Sequence, residues 1–113
     1  MFVDGGMADN PRYALYKAKY EAMLANKMNE EADTTYTVAG KCCESGDMLV
    51  MDAKLPKAEQ GDLLLVSSTG AYNYSMSSNY NRLPKLPVVF VKDGTSRLVV
   101  KGETLEDLIR QDI

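Results

Sequence analysis

Turn-forming residues recur so closely along this chain that the elements between them must be short. Asp-Gly-Gly stands at 4–6, Asn-Pro at 10–11, Glu-Ser-Gly-Asp at 44–47, Glu-Gln-Gly-Asp at 59–62 and Lys-Asp-Gly at 92–94. Between them lie brief runs rich in Val and Leu: MLVM at 48–51, LLLVSS at 63–68, PVVFV at 87–91 and RLVV at 97–100. Runs of this length bounded by turn residues read as strands. The stretch VVFVKDGTSRLVV reads as a hairpin with Asp93 and Gly94 in the turn. Residues 13–26, YALYKAKYEAMLAN, are good helix formers. Yet Ala14, Tyr16, Ala18, Tyr20, Ala22 and Leu24 fall on one side of a period-two alternation, so a half-exposed strand is expected there. Near the end, ETLEDLIRQD predicts a short helix, with Thr104 as N-cap and Asp107 closing a capping box. The expected fold is mostly β: a Greek-key-like barrel or sandwich with a short C-terminal helix.

The 113 residues carry a net charge of −3 and are 45% hydrophobic, which suits a single domain over residues 1–113. The mild acidity, with Lys and Arg scattered, argues against a nucleic-acid partner. No apolar run approaches the ~18 residues of a membrane span. The opening MFVDGGMADNP lacks the basic and apolar regions of a signal peptide, so a cytoplasmic location is expected.

The two cysteines, Cys42 and Cys43, are neighbours within GKCCESGD at 40–47. A disulfide between adjacent residues is strained. A structural zinc site needs four ligands, and the chain has no His and no second Cys pair, so no metal is expected. A reduced thiol is left, either reactive or simply buried.

Four stretches, in order, resemble the C-terminal part of the diaminopimelate decarboxylases: VDGGMADNPRYALY (3–16), AGKCCESGD (39–47), GDLLLVSSTGAYNYSMSSNYN (61–81) and LPVVFVKDG (86–94). ETLEDLI (103–109) also fits. The motifs CESGD and TGAYNYSM at their mutual spacing are the most specific part. The resemblance implies a two-domain, pyridoxal 5′-phosphate-dependent enzyme. In that family a β/α barrel carries the cofactor-binding lysine, a histidine and a Gly-rich phosphate loop, and is followed by a β-domain. The present chain looks like that second domain without the barrel. It is therefore expected to be a fragment, an isolated domain or a truncated gene product, inactive in isolation and prone to associate through uncovered edges.

The resemblance also assigns roles. Cys43 matches the acid that returns a proton to the substrate carbon after CO2 leaves. Glu44 matches the contact to the far amino group, where a carboxylate facing an ammonium makes a charge-assisted hydrogen bond. Arg12 and Tyr16 match two substrate-binding residues; the planar guanidinium of Arg12 suits the distal carboxylate of meso-diaminopimelate. Tyr72 matches the tyrosine that hydrogen-bonds the cofactor phosphate. The family's loop reaches into a partner subunit, which implies a homodimer. Cys42 has no family role and is expected to be structural. Asp47 is expected to cap the turn after Gly46, and Tyr74 and Tyr80 to pack. Many family members have Pro where Tyr13 stands.

Two other readings compete. Relatives acting on ornithine, arginine or polyamine precursors share the fold, but they follow the cysteine with Asp and place Asp after the matching tyrosine. Glu44 and Lys17 here favour diaminopimelate. A non-catalytic β-domain serving as an interaction module is the third reading.

Overall fold

The computed structural model describes residues 1–113. Helix α1 spans Arg12–Tyr16; strands β1 to β4 span Ala22–Leu24, Thr34–Ala39, Met48–Leu55 and Leu64–Val66. A one-turn helix α2, Asn73–Met76, and a 3₁₀ turn, Tyr80–Arg82, precede strands β5 (Val88–Lys92) and β6 (Thr95–Val100); helix α3, Leu105–Ile109, follows. The fold is mostly sheet with a few short helices. Its strands form three antiparallel pairs, β1 with β4, β2 with β3 and β5 with β6.

The core lies where the first two pairs meet. Leu24, Val38, Leu49, Val50, Ala53 and Leu55 form it, with Leu24, Val38 and Leu55 fully enclosed. In β3, Val50 points inward from an even position, whereas Ala53 and Leu55 do so from odd ones. The register with β2 explains this: Tyr36 faces Ala53 but Val38 faces Val50, so β3 carries one extra residue there, and a second at Leu49, since Ala39 faces Met48. Asp52 takes the left-handed conformation there, at φ 53°. A bulge of this kind switches which side chains face the core.

The hairpin forms as its sequence demands. Asp93 and Gly94 both adopt positive φ, 50° and 72°, as a two-residue turn of this type requires. The capping box also forms: the Thr104 hydroxyl accepts from the Asp107 N–H, and the Asp107 carboxylate accepts from the Thr104 N–H at 2.8 Å.

The strand expected over 13–26 is corrected in its first half. Arg12–Tyr16 is helical, and only Ala22–Leu24 is extended. Pro11 precedes the helix with φ −79°, and Lys17 closes it at φ 56°, its N–H turned back to the carbonyls of Arg12 and Tyr13. Local helix propensity and this closing turn outweigh an alternation that no neighbouring strand uses. Strand β2 was not foreshadowed by a turn-bounded apolar run, because its Thr-Thr-Tyr-Thr sequence is polar.

The radius of gyration is 15.2 Å, against about 13 Å for a compact chain of this length. In the β5–β6 hairpin Val89, Phe90, Val91 and Leu98 stand exposed, as does Phe2. Exposed apolar side chains in such number favour association. No helix is long and apolar enough to cross a membrane.

Lys27 ties the turn after β1 to the segment before β4 through ion pairs with Glu59 and Asp62. Lys27 Nζ lies 2.8 Å from Asp62 Oδ2, Asn26 Nδ2 donates to Asp62 Oδ1, and the Glu59 N–H donates to Asp62 Oδ2. Lys27 first, then Asn26 and the Glu59 N–H, hold the Asp62 carboxyl down to about 2. A depressed acid stabilises the fold above its ordinary value of 3.8, and that contribution disappears as pH falls through about 2. The Asp62 carboxyl ¹³C resonance is therefore expected to titrate near 2 and to move toward 3.8 in Lys27→Met. An unmoved midpoint would show that Lys27 is not the cause.

Candidate functional site

The loop joining β2 to β3 carries the cysteine motif, and a buried carboxylate holds it. Asp47 is only 3% exposed. Its Oδ1 accepts from the Met7 N–H at 2.6 Å and its Oδ2 from the Cys42 N–H at 2.7 Å. The Gly40 N–H bonds the Asp47 carbonyl, and the Lys41 N–H bonds that of Gly5. A Cβ at Gly40 would fall on the Asp47 carboxylate and on the Cα of Gly6. The Asp-Gly-Gly turn at 4–6 and the cysteine loop thus form one unit, closed by Asp47 and made possible by glycine at the contact. This corrects the expectation that Asp47 merely caps its own turn.

The unit fixes the two cysteines in different surroundings. Cys42 is buried. Burial pushes its thiol up, a bond with the Ala8 backbone opposes this, and the Asp47 carboxylate adds to it. Cys43 is exposed, and its N–H donates to Asn81 Oδ1 at 2.9 Å. Glu44 is exposed too. Its Oε1 accepts from the Gly46 N–H at 3.0 Å and its Oε2 from the Tyr80 hydroxyl at 3.1 Å. The Gly46 N–H chiefly, with the Tyr80 hydroxyl, holds the Glu44 carboxyl below the usual carboxylate range. Glu44 in turn raises the Tyr80 phenol. The expectation that Tyr80 and Tyr74 pack is corrected: Tyr80 is 40% exposed and bonded to Glu44, and Tyr74 is exposed as well.

A second group gathers around Arg12. Its guanidinium lies 4.8 Å from the ring centre of Tyr72 and 5.8 Å from that of Tyr16. Attraction of a cation to a ring face at such distances is worth about 0.5–1 kcal/mol at exposed sites. The Arg12 N–H donates to Oδ1 of the buried Asn10, which fixes the start of α1. Tyr72 holds the uncommon combination φ 71°, ψ −35° at the entry to α2. Such conformations cost of order 1–3 kcal/mol and collect at functional sites. Arg12, Tyr16 and Tyr72 therefore form one cationic and aromatic group, and Cys43 and Glu44 form another. No hydrogen bond, ion pair or cation–π contact joins the two. Tyr80 and Asn81 were not foreseen as site residues, because nothing local in SSNYN says which distant loop it meets.

The chain belongs to the pyridoxal-dependent decarboxylases: the family model for their C-terminal sheet domain matches residues 1–70. Within that class its relatives point one way. It is 60% identical over 111 residues to the diaminopimelate decarboxylase of Bacillus subtilis, covering 98% of this chain and 25% of that protein. Two solved structures superpose closely. Diaminopimelate decarboxylase from M. jannaschii in complex with L-lysine gives a TM-score of 0.90 at 36% identity, over 99% of this chain and 25% of that one. The Helicobacter pylori enzyme complexed with L-lysine gives 0.86 at 39%, over 96% of this chain and 27% of that one. The chain spans about a quarter of the length of the relatives it matches.

Proposed function

We propose that these residues supply one face of the active site of a diaminopimelate decarboxylase, which converts meso-2,6-diaminopimelate to L-lysine and CO2. The observation that carries this reading is the Cys43–Glu44 pair: an exposed thiol beside an exposed carboxylate that two donors keep ionised. In such an enzyme bound pyridoxal phosphate serves as the electron sink for decarboxylation. This chain's part is binding and proton delivery. Cys43 Sγ holds the proton that replaces CO2 on the substrate carbon. Glu44 faces the ammonium at the far end. Arg12, with Tyr16 beside it, takes the distal carboxylate in its planar fork.

The residues suit the cofactor at its phosphate. The Tyr72 phenol is exposed, a hydroxyl donor that fits an anion, and Arg12 against its ring is left to the substrate carboxylate. The family resemblance, in which the cysteine loop reaches into the partner's site, supports a homodimer with sites shared between two subunits. Residues 1–113 are proposed to act as one domain, closing as a Greek-key-like barrel or sandwich with the rest of a longer chain, in a cytoplasmic enzyme.

Changing Arg12 tests the substrate. Removing one partner of a desolvated charge pair costs about 3–5 kcal/mol. In a complete enzyme, Arg12→Ala is therefore expected to lower kcat/KM for diaminopimelate by at least roughly a hundredfold. Arg12→Lys recovers only part of this. Arg12 also rests on Tyr72, so cofactor absorbance must be followed in parallel. A hundredfold loss with full cofactor marks carboxylate pairing, whereas an intact preference for diaminopimelate over ornithine and lysine refutes it.

A further inference from the structure

We propose that Tyr80 and Asn81 are positioning residues that hold Glu44 and Cys43 in register. This rests on the roles given above to Cys43 and Glu44. Two adjacent residues grip two adjacent residues across the fold. The Asn81 side-chain oxygen takes the Cys43 N–H at 2.9 Å, and the Tyr80 hydroxyl donates to Glu44 Oε2 at 3.1 Å. The pairs are 38 and 36 positions apart in sequence. One bond would tether the loop; two at consecutive residues also fix its rotation, and with it the directions of the thiol and the carboxylate.

The gripping turn is itself built to hold an uncommon shape. Asn81 sits at φ 55°, ψ 23° and Arg82 at φ 55°, both left-handed. Asn is among the few side chains that adopt this conformation routinely. At Asn81 it also aims the side-chain oxygen at the loop. Three ties brace the turn. The Ser78 N–H bonds the Ala8 carbonyl, the Asn79 amide bonds the Leu83 carbonyl, and Arg82 pairs with Asp112 at 2.9 Å. The first tie runs to the same N-terminal segment that Asp47 anchors. Cysteine loop, Asp-Gly-Gly turn and the 78–82 segment are thus mutually braced.

The division of labour is specific. Tyr80 acts on Glu44, so its loss should weaken grip on the substrate ammonium and let Glu44 take a proton more readily. Asn81 acts on Cys43, so its loss should misplace the proton donor. The Tyr80 bond is to a charged group, the stronger kind, and its loss is expected to change a binding constant by roughly tenfold; the Asn81 bond is neutral and acts on rate by placing the thiol.

The test is made in a complete decarboxylase carrying this domain. Tyr80→Phe is expected to raise KM for diaminopimelate by roughly tenfold and move the acid limb of kcat/KM to higher pH, with kcat little changed. Asn81→Gly keeps the left-handed turn but removes the acceptor. It should lower kcat by roughly tenfold with KM little changed, and Asn81→Asp, which restores an acceptor, should recover most of it. Independently of turnover, the iodoacetamide alkylation rate of Cys43, read in a Cys42→Ala background, should change in Asn81→Gly and return in Asn81→Asp. Thermal melting verifies that each variant folds. If Cys43→Ala and Glu44→Gln impair the enzyme but the Tyr80 and Asn81 variants leave kcat, KM, the acid limb and alkylation unchanged, the positioning role is wrong. If Cys43→Ala and Glu44→Gln are themselves silent, the underlying reading of the site fails instead.

Discussion

Cys43→Ala in a complete decarboxylase carrying this domain is expected to slow turnover by about 10²–10⁴-fold, the range a positioned proton donor contributes. Cys42→Ala should leave turnover nearly unchanged. The two thiols are adjacent in sequence, but the backbone turns between them. Cys42 lies buried beside Asp47, its thiol pushed up chiefly by burial, so it is poorly placed to exchange a proton with anything outside. Cys43 points to the open surface from a loop pinned on both sides, by Asp47 through Cys42 and by Asn81 through Cys43 itself. Steady-state kcat for both variants, with cofactor content and melting temperature measured alongside, decides the matter. Equal losses at the two positions would remove Cys43 from the chemistry.

Asp47→Ala should produce the largest loss of stability. It strips the acceptor from two buried or half-buried N–H groups, those of Met7 and Cys42. An unsatisfied buried donor costs about 1–3 kcal/mol. Gly6 and Gly40, which press against the carboxylate, have no side chains to take its place. Asp47→Asn should recover only half, since its amide end turns one donor toward another donor. Because a multidomain enzyme does not unfold in two states, the comparison belongs to denaturation midpoints of otherwise identical proteins. Both variants should also loosen the Cys43–Glu44 loop, seen as faster proteolysis at 40–47. An unshifted midpoint in Asp47→Ala would mean that its two short bonds carry no net stabilisation.

The local features of the fold were readable because each depends on few neighbouring residues. Asp93-Gly94 needs only its own positive φ to make a hairpin, and Thr104 needs only Asp107 to cap α3. Strands β3 and β4 announced themselves as apolar runs between turns. Helix α1 was misread because five residues are too few for either period to dominate. What separates strand from helix there is the turn at Lys17.

The site divides along the same line. Cys43, Glu44, Arg12, Tyr16 and Tyr72 stand out in the amino-acid string, because their motifs are short and contiguous and the chemistry of each side chain is its own. Their arrangement does not stand out. Asp47 reaches Met7 across 40 positions, and Tyr80 reaches Glu44 across 36. Arg12 meets a Tyr72 that lies far along the chain. These partners are chosen by how β1 to β4 pack and by the close approach that Gly6 and Gly40 permit, not by any local preference. Residue chemistry is written one position at a time. Hydrogen-bond partners, burial and the resulting charge state of Glu44 or Cys42 belong to surfaces that exist only once distant segments have met.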